Sequence, residues 1–217
     1  MFAAEGACMD GAALLDSVRS GMVTELDRLG SEKSLLAATE ARLEPDPVLV
    51  TAATTLQTAR DGLANWADDA TNETATETLR SAAEALTDAF ERVVAELDGA
   101  GDDIAALEAP YLSLDATGNI ERVAAGTIGL PLVLDRLFLQ AVSFFVNEAE
   151  NDRADLFRDL RAETDAMLAA GTDALDELCA GDDWGRAESS ARAVIDAAYD
   201  DYAERLDAMG FDPKPIC

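Results

Sequence analysis

Histidine is absent from this 217-residue chain, which removes the commonest acid–base group and metal ligand. A Ser/His/Asp triad is excluded by composition, and the mixed Cys/His ligand sets of zinc sites are excluded with it. Lysine is nearly missing too. Lys33 and Lys214 are the only two, both in polar or terminal contexts that do not suit Ser/Lys chemistry. The cysteines Cys8, Cys179 and Cys217 lie far apart without CxxC spacing, so they form neither a disulfide framework nor a zinc site. Cys217 has no CaaX frame for lipidation. No glycine-rich phosphate loop is present: Gly126-Thr-Ile-Gly-Leu-Pro131 lacks both the preceding strand and the lysine of a Walker motif.

Acid is what the chain has in excess. It carries 44 Asp and Glu against 16 Lys and Arg, a formal charge of −28, while 49% of its residues are hydrophobic. Disordered acidic chains are poorer in apolar residues, so this charge belongs on a folded body with a core. Such a surface suits molar salt, where the Debye length is roughly 3 Å or less and single-sign charge no longer opposes compaction. The expectation is a halophilic, cytoplasmic protein that does not bind nucleic acid directly, since it has no cluster of cations to contact phosphates. The opening Met1-Phe-Ala-Ala-Glu5 shows no basic region of a signal peptide, and Met9 is a plausible alternative start. The longest apolar run, Val123 to Leu134, is expected to be too short to span a bilayer.

Helical periodicity dominates and no alternating strand pattern is evident, so the fold class is all-α. Residues 1–9 read as an extension, 10–210 as one helical domain and 211–217 as a tail. Asp10 caps a first helix to about Leu29, and a second short helix starts at Ser31. The main helices are expected at about 46–69, opened by Asp46-Pro47, then 72–97 with Asn72 as cap, 114–149 bent by Pro131, and 151–179 capped by Asn151. A last helix runs from Trp184 to about Met209 and stops at Gly210. A short helical turn is expected after Asp102-Asp103. Trp66 precedes Leu79 by the same thirteen residues that separate Phe144 from Phe157, and Arg80 and Arg158 follow in register. Two such hairpins facing each other make a four-helix bundle.

The hairpin segments Leu56-Gln-Thr-Ala-Arg-Asp-Gly-Leu-Ala-Asn-Trp-Ala67 and Leu79-Arg-Ser-Ala-Ala-Glu-Ala-Leu-Thr-Asp-Ala-Phe90 resemble the rubrerythrin branch of the ferritin-like superfamily. The likeness covers residues 31–97 best and 130–180 weakly. With Leu29-Gly-Ser-Glu-Lys-Ser34 and the ending Phe211-Asp-Pro-Lys-Pro-Ile-Cys217, the chain also resembles a haloarchaeal group whose members have carried the label of transcription anti-termination factor. The resemblance implies a ferritin-like up-down bundle with extra helices at both ends. Di-iron sites in such bundles take a Glu from one helix of each hairpin and a Glu-x-x-His from the other. Laid on this chain, that pattern falls on Leu56, Leu86 and Ala89, and in the second hairpin on Leu134, Thr164 and Met167. All six positions lack a strong ligand. A shift of one residue brings in Asp88, Asp135, Glu163 or Asp165 but never a complete set, and no shift supplies a histidine.

Other motifs give way to simpler readings. Ser113 to Ala124 is similar to a calcium loop but has Ser113 and Ala124 where that loop needs acids, so Asp115 reads as a helix cap. The acidic clusters Asp68-Asp69, Glu148 to Asp155, Asp182-Asp183 and Asp200-Asp201 sit at helix starts, where carboxylates favour the dipole, or on solvated faces. Trp184, Phe211 and Lys214 are candidate partner contacts. The expected function is therefore non-catalytic, without cofactor or metal, through protein–protein contacts, with transcription implied by the resemblance. The alternative is a ferritin-like oxidoreductase with an all-carboxylate site. A homodimer is compatible with either.

Overall fold

The structure is a computed structural model that describes residues 9–97 and 116–212. Every regular element among them is helical. Three short helices, α1 (Gly11–Gly21), α2 (Val23–Leu29) and α3 (Glu32–Ala38), precede the long α4 (Pro45–Asp69) and α5 (Glu73–Val94). After the gap come α6 (Asn119–Asn147), α7 (Asn151–Leu178) and α8 (Asp183–Ala208). The turn after Asp102-Asp103, the cap at Asp115 and the calcium-like loop's first residue fall outside the described residues.

Two hairpins form the centre. α4 lies along α5 and α6 along α7, with α5 packed on α7 and α4 on α6. Arg92 reaches Glu163 while Thr74 reaches Glu177, so α5 and α7 are antiparallel. It follows that α5 and α6 run parallel. Glu96 is held by Arg153 at the start of α7, whereas Ala116 is held by Arg122, which pairs with Asp69 at the far end of α4. Chain positions 97 and 116 thus stand at opposite ends of the bundle. α1, α2, α3 and α8 form a second layer over α6 and α7. Long-range bonds join this layer: the Gly11 amide donates to Asp176 at 2.7 Å and the Ser17 hydroxyl to Glu188 at 2.8 Å.

α6 is enclosed by both layers and is buried at every position from Val123 to Leu134. Taken whole, its 29 residues are long and apolar enough to cross a membrane by length and composition, which corrects the reading from the uninterrupted run alone. Other helices bury 61% of its most apolar window, as befits the central helix of a bundle. Its Ala125–Gly129 stretch is a π turn, in which the Leu130 amide reaches back to Ala125. Pro131 explains the turn. Its ring clashes with the carbonyl four residues back and it has no amide to donate, and the wider turn relieves both problems. Gly126 and Gly129 in this turn let α4 and α8 approach closely, since an added Cβ would lie 2.5 Å from Leu63 and from the Ala191 carbonyl respectively.

Asp10 and Asn72 cap as expected, accepting from Ala13 and Ala75. Several boundaries differ. The first helix breaks at Met22, where Arg192 of α8 lies beside Gly21 and donates to the Ser17 carbonyl, so a foreign donor enters the helical ladder. α4 opens one turn position earlier, with Glu44 as cap and Pro45 in the first turn. Asn151 is the first residue of α7 and Glu150 the cap, and α6 begins at Asn119 rather than 114. α6 also ends at Asn147, in a Schellman turn: the Glu150 amide donates to Phe145 and the Ala149 amide to Val146. Ala149 takes φ 61° to do so. α3 ends the same way through Glu40 at φ 52°, and α8 through Gly210 at φ 79°.

Candidate functional site

The six positions aligned with di-iron ligands are all buried: Leu56 and Leu134 fully, and none of the others beyond 7% exposed. Five of them, Leu56, Leu86, Ala89, Thr164 and Met167, converge on one void between α4, α5, α6 and α7. Leu134 does not line it; Phe138, one turn further along α6, takes that wall. The void measures about 10 Å³, room for at most one water molecule. Phe138 lies 5.9 Å from Phe157, which stacks on Phe145 at 5.6 Å, so bulky rings continue the apolar filling along the bundle axis. The Thr164 hydroxyl, the one polar group among the six, donates to the Arg161 carbonyl at 2.7 Å and is thereby satisfied within its own helix.

The carboxylates one residue away are engaged or outside. Asp135 accepts from Arg161 at 2.8 Å, and Glu163 pairs with Arg92, which also lies 3.7 Å from Asp159. Asp88 and Asp165 are exposed. Among the described residues no group of three or more His, Cys, Asp or Glu is placed to hold a metal ion. Glu163 also lines the void, its carboxylate held by Arg92, whereas the five aligned positions supply no carboxylate or imidazole of their own.

Beside this filled centre, α5 and α7 are tied together near their ends by the Arg92–Glu163 pair and by Thr74 donating to Glu177 at 3.2 Å. Between those ties they are walled by small side chains, Ser81, Ala82 and Ala85 on α5 and Ala166 and Ala170 on α7. The result is an open groove of about 910 Å³ whose floor reaches Met167 and the buried Thr127 of the π turn. The Thr127 hydroxyl donates to the Val123 carbonyl at 2.6 Å. Along α5 the lining runs from Glu77 to Ala95, which at the helical rise is about 27 Å. Among the described residues the rim carries Glu77, Asp88, Glu91 and Glu163 against a single cation, Arg92. Sequence reasoning missed this groove. Its signal is the string of alanines and a serine on outward faces, which becomes meaningful only once α5 and α7 are known to be neighbours.

The candidate partner contacts do not form one surface. Trp184 opens α8 and is half-buried against the core, while Phe211 lies beyond its other end and is 46% exposed. The helix between them separates the two by about 40 Å. Lys214 lies outside the described residues; Lys33 holds the start of the tail, donating to the Asp212 carbonyl at 2.9 Å. Cys179 is half-buried. Burial first, then Asp183, pushes its thiol up to about 11, and it stays protonated and unreactive at neutral pH. In the middle of α8, desolvation, then Glu25 and Asp200, raise Asp196 above its ordinary value. Compared with family models, curated proteins and solved structures, the chain matches none.

Proposed function

We propose that the protein is a ferritin-like bundle without a metal centre, and that it works through contacts with another protein rather than by catalysis. One observation carries the reading: five positions aligned with ligands meet at a single void, and every one of them is apolar or internally satisfied. The pairing of two antiparallel hairpins with α5 parallel to α6 is compatible with that architecture. A role in transcription rests on the haloarchaeal resemblance, and a halophilic setting rests on the charge of −28.

Metal analysis of untagged protein purified in molar KCl tests the central claim. Less than a tenth of an equivalent of iron or manganese is the expected result; a stoichiometric amount would favour the all-carboxylate oxidoreductase instead. Recovery of RNA polymerase or an elongation factor on the immobilised protein would support the transcription role. Circular dichroism during dilution from molar to millimolar KCl tests the setting. Helical signal is expected to fall as unscreened carboxylates repel, and an unchanged spectrum would remove the halophilic argument.

A further inference from the structure

We propose that the groove between α5 and α7 is the docking site for a basic amphipathic helix of a partner protein, an inference that rests on the protein-contact reading above. The shape argues for a helix. The α5 wall is about 27 Å long, room for about five helical turns, and α7 faces it from Glu163 to Ala170, over about 10 Å. Its walls at Ser81, Ala82, Ala85, Ala166 and Ala170 stop at Cβ or Oγ, leaving the width that larger side chains would have filled. Helix-in-groove recognition uses apolar anchors at i, i+3, i+4 and i+7. Such anchors would lie on the alanine walls, with Met167 at the floor as an adaptable contact.

Charge selects the partner. Glu77, Asp88 and Glu91 are exposed on the rim and none appears in an ion pair with a described cation, whereas Arg92 is already shared between Glu163 and Asp159. Among the described residues, the rim therefore offers three free carboxylates and no free cation. A helix with Lys or Arg flanking its apolar stripe gains attraction at both edges, while an acidic helix meets repulsion. In molar salt the long-range part of this attraction is screened, so apolar contact sets the affinity and close ion pairs set the preference.

The test uses the full chain and two labelled 20-residue probe peptides, read by fluorescence anisotropy in 1 M and 3 M KCl, where the chain is expected to stay folded. Both carry leucines on one helical face; one has lysines on its flanks and the other has glutamates. Saturable binding of the lysine peptide, at least threefold tighter than the glutamate peptide in 1 M KCl, is expected. The groove-filling pair Ala166→Leu and Ala170→Leu, both exposed sites that should fold normally by circular dichroism, should weaken it at least tenfold. The triple variant Glu77→Gln, Asp88→Asn, Glu91→Gln should abolish the preference between peptides while keeping apolar binding. Equal binding of both peptides overturns the proposal, as does binding that ignores the filled groove. It is also overturned if binding appears only after residues 98–115 are replaced by a Gly/Ser linker, or if the groove-filling pair dissolves a dimer of the chain, because the occupant is then the chain itself. Stoichiometric metal would remove the functional reading and leave peptide binding untouched. Absent peptide binding would remove only the present inference.

Discussion

Replacing Gly129 by alanine tests whether the close passage of α8 over the π turn of α6 has the geometry described. The new Cβ would lie 2.5 Å from the Ala191 carbonyl oxygen and 2.9 Å from the Val194 Cβ. Neither atom is the end of a flexible side chain, so the two helices must separate locally by roughly an ångström before the contact becomes ordinary. Overpacking of this kind costs about 1–3 kcal/mol or more. Alanine's better helix propensity returns up to about 1 kcal/mol of that, leaving a net loss of about 0–3 kcal/mol. For a chain of this size each kilocalorie moves the melting temperature by about 2–4 °C. Gly185→Ala is the internal control. It also lies in a helix, but nothing stands within 4 Å of its added Cβ, so it should gain up to about 1 kcal/mol from propensity. Urea unfolding followed by circular dichroism in molar KCl measures both. If Gly129→Ala and Gly185→Ala shift alike, the close approach is not real.

Three further outcomes are expected. Ala149→Gly should stabilise the α6–α7 turn by about 0.5–1 kcal/mol, because glycine takes the left-handed conformation without penalty; thermal melts showing a loss would refute the Schellman geometry. Cys179, in a Cys8→Ser, Cys217→Ser background, should alkylate with iodoacetamide about a hundredfold more slowly than free cysteine at pH 8, since a thiol at about 11 has far less thiolate; reaction at the free rate would contradict its burial. Asp196→Asn should stabilise the protein at neutral pH. The folded carboxyl titrates above its unfolded value, so the native state binds more protons between the two, and parent stability falls as pH rises through that window. Stability curves for the variant should show a shallower fall there, and an identical slope in both proteins would count against it.

Where the sequence was informative, the physics was local. Asp10 and Asn72 carry their acceptor oxygens at the helix starts they cap, and the apolar spacing from Leu49 through Leu63 lies on one buried face of α4. Gly126, Gly129 and Pro131 already marked a disturbed helix, although the closure through Ala125 could not be read from them. The break at Met22 was illegible because Leu14, Val18, Met22, Leu26 and Leu29 continue one apolar stripe across it, and its cause is an arginine 170 residues later. The Schellman ends of α3 and α6 were hidden because Glu40 and Ala149, not glycine, adopt the left-handed turn. The filled centre was legible by position, through the offsets that placed Leu56, Leu86, Ala89, Thr164 and Met167 together, except that Phe138 replaced Leu134 at its wall. The groove was not, since it is defined by side chains that stop short on two helices far apart in sequence.

The layering of α1, α2 and α3 against α7 and α8 has a consequence for how the protein is made. The three short helices leave the ribosome before their partners, residues such as Asp176, Glu188 and Tyr199, which follow 165 to 171 positions later. At translation speeds of about 5–20 residues per second, the amino-terminal apolar stripe waits on the order of ten to forty seconds for its cover. A nascent chain of this design therefore exposes that stripe to chaperones and to self-association until α8 emerges and closes over it.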